Sequence, residues 1–363
     1  MKKARSKRVT LADVAAKAGV SVATASVAIT GRPSGNCRVS PAVAEKIRRA
    51  ARQLNYHPNL QARNLSTQRT HTIALLIKRA AWHNAMFYLS AAQRVLRQSG
   101  FLEFCTLYPD NLLESERANI ELCIERRVEG IIAMPLIDLE GKANVGLFNQ
   151  VHEEEGIPVV QLGLSLPGCA APFVVTDEVE GILRAVRLLH AMGHRRIAHV
   201  TIKGYENAEP LNPYRVAYLR YEGYRRAMAE LKLKEQVISG DGPLTDVEML
   251  YDESVRLAAN VAKASPRPTA IIAFSDYNAA GLMQGLTDLG VSIPGDISIL
   301  AVGDQPFARM LRPPLTMLAP PFEQMGELAT RTVLKMVEGG EGQSAALPPV
   351  LVSRQSVREI KGE

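Results

Sequence analysis

The sequence is short of the features that announce several protein classes. Its 363 residues contain four cysteines, Cys37, Cys105, Cys123 and Cys169, and no two of them stand at CxxC spacing. Cysteines so scattered read as reduced thiols, which excludes a disulfide-stapled scaffold and a cysteine-based zinc site. No apolar run reaches the roughly 18 residues of a transmembrane helix, so no membrane association is expected. The basic stretch 1–8 resembles the start of a secretory signal. Asp13 and Lys17 break the apolar run that such a signal needs next, so no signal and a cytoplasmic location are expected. Low-complexity tracts and fixed-period repeats are also missing. With 47% hydrophobic and 22% charged residues, the composition suits a globular chain of two or three domains.

Catalytic motifs are equally scarce. There is no GxxxxGK[ST] phosphate loop and no GxGxxG. Gly163-Leu-Ser-Leu-Pro-Gly168 misses the nucleophile elbow GxSxG by one residue. His190 and His194 have the i, i+4 spacing of helical metal ligands, but HExxH is absent and Gly193-His194 reads as a helix end running into a strand. No enzyme activity, metal or cofactor is therefore expected.

Acidic residues are rare in one place above all. Residues 1–71 hold 14 of the 43 Lys and Arg but only Asp13 and Glu45 of the 37 acids, a net of +12; the rest of the chain carries −6. A compact basic head on a mildly acidic body is the electrostatic footprint of a nucleic-acid-binding module fused to something else. A solvated basic tail or a membrane-surface segment are the plainer alternatives.

The head reads as short helices. Thr10 caps an apolar series Leu11, Val14, Ala15, Ala18, with Asp13 at the capping-box position and Gly19 as the stop. Ser21 caps a second helix near 22–30, and Ser40-Pro41 opens a third that runs to about Asn55. Two short helices joined by a tight glycine turn form a helix-turn-helix. The outer face of the second, with Val22, Ala23, Thr24 and Val27, is small enough for a major groove about 12 Å wide. Residues 58–66 are too short for a stable isolated helix and are expected to fold against DNA or a partner subunit.

From Thr72 onward, short Val/Ile/Leu runs alternate with helical stretches near 84–99, 113–127, 144–155, 178–192, 214–231, 248–264 and 277–289. This alternation predicts an α/β class with doubly wound parallel sheets in two Rossmann-like lobes, and a ligand cleft at the strands' carboxyl ends.

The run Val9-Thr-Leu-Ala-Asp-Val-Ala-Ala-Lys-Ala-Gly-Val-Ser-Val-Ala-Thr-Ala-Ser26, with Asn55-Tyr-His-Pro-Asn59 and Ala62-Arg-Asn-Leu65, resembles the helix-turn-helix and hinge helix of LacI/GalR regulators. Val128-Glu-Gly-Ile-Ile132, Gly193-His-Arg-Arg-Ile-Ala198, Arg220-Tyr-Glu-Gly223, Ile293-Pro-Gly-Asp-Ile-Ser298, Val302-Gly-Asp304 and Pro314-Leu-Thr316 resemble that family's periplasmic-binding-protein-like effector domain. The resemblance implies a head at 1–71 with a hinge helix at about 58–66. It implies an effector and dimerisation domain at 72–363, with an N-lobe near 72–173 plus 306–333 and a C-lobe near 174–305 plus 334–363. It implies that Val22, Ala23 and Val27 read bases, that Thr10, Ser21, Thr24 and Tyr56 contact phosphates, and that Leu65 and Ala62 enter the minor groove. Effector binding falls to Phe87, Arg220, Ser275 and Asp304. The expected partners are a double-stranded operator, a small-molecule effector (a sugar or another metabolite) and a second copy of the chain. The C-terminus leaves little room for a tetramerising heptad helix, which favours a homodimer. Gly163-Leu164 stands where the family usually has a polar pair, so the cleft offers fewer polar handles than a typical sugar site.

Overall fold

A computed structural model describes residues 9–30, 39–57, 69–78, 82–108, 112–240 and 247–360. The expected hinge residues Ala62 and Leu65 lie outside these. The chain divides into two compact units, 1–69 and 70–363.

In the first unit the described elements are three helices, α1 (Leu11–Ala18), α2 (Val22–Thr30) and α3 (Pro41–Gln53). Thr10 and Asp13 form a reciprocal capping box, and Gly19 ends α1 in the left-handed conformation at φ 66°. Ser21 Oγ accepts the Thr24 N–H at 3.1 Å, and Ser40 caps α3 ahead of its N-terminal proline. Val14, Ala15, Ala18, Ala25, Ala28, Ile47 and Ala50 form the core. The alanines let the helices approach closely.

Among the described residues the second unit contains two six-stranded sheets. The strands in chain order are β1 (Thr72–Lys78), β2 (Leu102–Tyr108), β3 (Gly130–Ala133), β4 (Val159–Leu162), β5 (Phe173–Thr176), β6 (Ile197–Ile202), β7 (Val237–Gly240), β8 (Ala270–Ala273), β9 (Ser298–Val302), β10 (Thr316–Ala319), β11 (Ala345–Leu347) and β12 (Val350–Val352). The first sheet runs β11-β5-β4-β3-β1-β2, all parallel; the second runs β12-β10-β9-β8-β6-β7, with β12 antiparallel to β10. Most strands are apolar on both faces, as helix-covered parallel strands must be. The covering helices used below are α4 (Trp82–Gln98), α5 (Leu113–Glu125), α6 (Val145–Asn149), α7 (Glu178–Ala191), α8 (Arg215–Glu230), α9 (Val247–Lys263), α10 (Asp276–Asp288) and α11 (Phe322–Val337). No single helix among the described residues is long and apolar enough to cross a membrane.

The lobe boundaries differ from those expected. β5 still belongs to the first sheet, so the first crossover follows Thr176. β10, expected in the N-lobe, pairs in parallel with β9 and extends the second sheet. Only after Pro320-Pro321 does the chain return, and α11 then packs Met325, Ala329, Val333 and Leu334 into the N-lobe core. β11 completes the first sheet, and β12 lies in the second. By pairing, the N-lobe receives about 322–347 rather than 306–333. Apolar strands announce burial but not the sheet that buries them.

Candidate functional site

The first unit presents one helix with small side chains outward. Val22 is 48% exposed and Ala23 is exposed, whereas Val27, one turn beyond Ala23, is 8% exposed. Of the three expected base-reading positions, the first two are presented. Ser21 and Thr24 share a hydroxyl contact at 2.8 Å at the N-terminus of α2, where backbone N–H groups and the helix dipole favour phosphate. Thr10 spends its hydroxyl on Asp13, at 2.7 Å. Tyr56 packs on the three-helix core, and burial raises its phenol pKa.

In the second unit a cavity of about 340 Å³ lies between the lobes. Its walls come from the carboxyl ends of both sheets: Lys78, Met134, Gly163, Thr176, Phe274 and Gly303 all follow or close a strand. On the C-lobe wall Arg220 projects from α8. Its Nε donates to Glu178 at 2.8 Å, its Nη1 donates to the Phe274 carbonyl, and its guanidinium carbon lies 4.6 Å from the centre of the Phe274 ring. Arg220 and Glu178 are each 10% exposed, a nearly buried pair held at three points. Beside them Asp276 opens α10. Its two oxygens accept the backbone N–H groups of Tyr277 and Gln305, each at 3.0 Å. Burial raises the Asp276 pKa, and those N–H groups and Arg220 partly offset it. Gly303, at φ 133°, has no substitute here, because a Cβ would stand 2.5 Å from Asp276 Oδ2.

Across the cleft Gln305 Nε2 donates to Asn84 Oδ1 on α4 at 2.8 Å, joining the two lobes directly. Tyr88, one turn beyond Asn84, lines the cavity with Phe322, whose ring meets it edge-on at 5.3 Å.

Residues 10–59 match the family described as bacterial regulatory proteins, lacI family, and residues 186–357 match the periplasmic binding protein-like domain. The chain therefore joins a lacI-family regulatory region to a periplasmic binding protein-like domain. It is 29% identical to the HTH-type transcriptional repressor PurR of Vibrio vulnificus over 97% of this chain and 99% of that one. It is 27% identical to catabolite control protein A of Priestia megaterium, over 96% and 99%. A solved Lac repressor bound to ONPG in its repressed state superposes with a TM-score of 0.74 at 25% identity, covering 96% of this chain and all of that one.

The expected effector residues fall into two groups. Arg220 and Ser275 line the cleft, and Ser275 also caps α10 by accepting the Asn278 N–H at 3.2 Å. Asp304 does not line it. Its carboxylate accepts from Arg354 Nη2 at 2.6 Å and ties down the C-terminal segment, while Asp276 supplies the acid in the cleft. Arg220 and Asp304 thus have separate partners rather than each other. Phe87 is stacked on Phe322 at 6.1 Å, behind the lining; the helical period brings Asn84 and Tyr88 to the cavity instead.

Lys78, Glu178 and Gln305 were not singled out from the sequence. Lys78 carried a signal, because a charge that closes the apolar run Ile73–Ile77 stands at the carboxyl end of a buried strand. Glu178 and Gln305 carried none, since only the fold brings them beside Arg220 and Asp276. His194, set aside as a metal ligand, bonds Thr269 at 3.0 Å and the Arg358 carbonyl at 3.1 Å.

Proposed function

We propose that this chain is a ligand-responsive, DNA-binding transcriptional regulator acting as a repressor. A homodimer places two α2 helices in successive major grooves of a pseudo-palindromic operator, and the hinge segment carrying Leu65 and Ala62 enters the minor groove between them. Val22 and Ala23 meet base edges, while Ser21, Thr24, Thr10 and Tyr56 face the phosphates. A small molecule in the cleft contacts Arg220, Ser275 and Asp276. By binding one lobe arrangement more tightly than another, it shifts the population able to grip DNA. The chain works in the cytoplasm, with no catalytic step.

One observation carries the reading: a single chain joins a helix-turn-helix unit with a small, exposed recognition face to a cavity walled by the strand ends of two lobes. Footprinting the purified protein on the DNA upstream of its own gene is expected to reveal a protected palindrome. Leu65→Ala should weaken that protection by about tenfold or more, as loss of a buried apolar wedge does. Absence of any protected palindrome, or a Leu65→Ala protein indistinguishable from the parent, overturns it.

A further inference from the structure

We propose that the molecule held in the cleft is an acid: a small metabolite with an apolar or ring-shaped body whose carboxylate or phosphate meets the Lys78 ammonium. This rests on the regulator reading above and specifies what its sensor recognises.

The charges that line the cavity are unevenly paired. Its ionisable lining is Lys78, Arg215 and Arg220 against Glu178 and Asp276. Arg220 and Glu178 satisfy each other. Asp276 is satisfied by two backbone N–H groups. Arg215 donates to the Ala208 carbonyl at 3.0 Å and lies over the Tyr218 ring. Lys78 is left. Among the described residues its ammonium makes one hydrogen bond, a long one of 3.4 Å to the Pro135 carbonyl. Lys78 is part-buried, and loss of water lowers its pKa while the nearby Glu116 opposes that shift.

The acid acting on Lys78 from the N-lobe core is Glu116, and it is committed elsewhere. Its two oxygens accept the Leu136 N–H at 2.8 Å and the Asn144 side-chain amide at 2.9 Å. Burial holds its pKa up at about 7, so it carries only part of a charge at neutral pH. A part-buried ammonium in the lining is a strong polar handle for an anion, because charge-assisted hydrogen bonds are about twice as strong as neutral ones.

Much of the remaining wall is aromatic or aliphatic. Tyr88, Phe274, Phe322, Met134, Leu164 and Leu250 offer rings and aliphatic surface. Asn84 and Gln305, the two amide side chains of the lining, are bonded to each other. A flat or apolar body fits these walls.

The test uses the full-length protein and paired compounds that differ in the acidic group alone. Aromatic and aliphatic carboxylates are set against the corresponding alcohols, and aryl and alkyl phosphate monoesters against the parent phenols and alcohols. Binding is read by thermal shift and calorimetry. The expected result is that the acids of one series bind, their uncharged partners bind about tenfold or more weaker, Lys78→Met lowers acid affinity by about as much, and Lys78→Arg restores most of it. The series that binds distinguishes carboxylate from phosphate. The inference is overturned if uncharged partners bind as well as acids, if Lys78→Met leaves acid binding unchanged, or if no acid in either series binds. Operator footprinting on the same preparations separates the two failures: a palindrome still protected leaves the regulator reading standing without the acid.

Discussion

Glu116 shows what a single residue contributes when it is wholly enclosed. Its side chain has no solvent exposure, and burial holds its pKa up at about 7 against an ordinary 4.5. The folded chain therefore retains a proton that the unfolded chain gives up from about pH 4.5, so stability falls as pH rises across that window, by on the order of 3 kcal/mol. His199 on β6 works in the opposite sense. Burial drives its pKa down to about 4, so stability is lost as pH falls from about 6.5. The two windows overlap, and the raw melting profile partly conceals both. The difference between Glu116→Gln and the parent isolates one of them. The variant's melting temperature is expected to gain on the parent's as pH rises from about 5 to about 7. Parallel profiles would show that Glu116 stays ionised.

At the scale of elements, α2 separates recognition from folding. Val22 is half-exposed and outside the three-helix core, so Val22→Glu is expected to abolish operator protection while changing stability by less than about 0.5 kcal/mol. Thr10→Ala removes the capping box of α1 and is expected to cost about 1 kcal/mol, seen as an earlier melt of the head. If Val22→Glu melts early and binds DNA normally, the outward face of α2 has been misassigned. The helices were legible in the sequence because caps, a glycine stop and a 3.6-residue period are local signals. β5, β7, β10, β11 and β12 were not drawn from it. They are three to four residues long and take their identity from the strand beside them. β10 also moved a boundary, because the parallel ladder from Thr316 to Leu318 binds it to β9 before the chain crosses over.

For the molecule as a whole, charge is distributed by task. The head's excess of twelve positive charges on about 70 residues makes operator affinity steeply dependent on salt. Raising salt from about 50 to about 200 mM is expected to weaken binding by about a thousandfold or more, measured by fluorescence anisotropy on the protected sequence. A flat dependence would remove the phosphate-gripping role from the head.

The sequence by itself determined the class of each unit. Periodicity, capping residues and the charge split are local or additive properties, and they marked a basic helical head and an α/β body without knowledge of any contact. Its resemblance to LacI/GalR regulators also pointed to Arg220 and Ser275, and both line the cavity. Tertiary structure decided which acid joins them. Asp276 and Asp304 each stand two or three residues beyond the end of adjacent strands of the second sheet, but the Gln305 and Tyr277 N–H groups hold one in the cleft while Arg354 draws the other away. Whether a carboxylate is a handle for a ligand or a tie for the chain depends on which donors reach it first, and those donors lie up to 50 residues away.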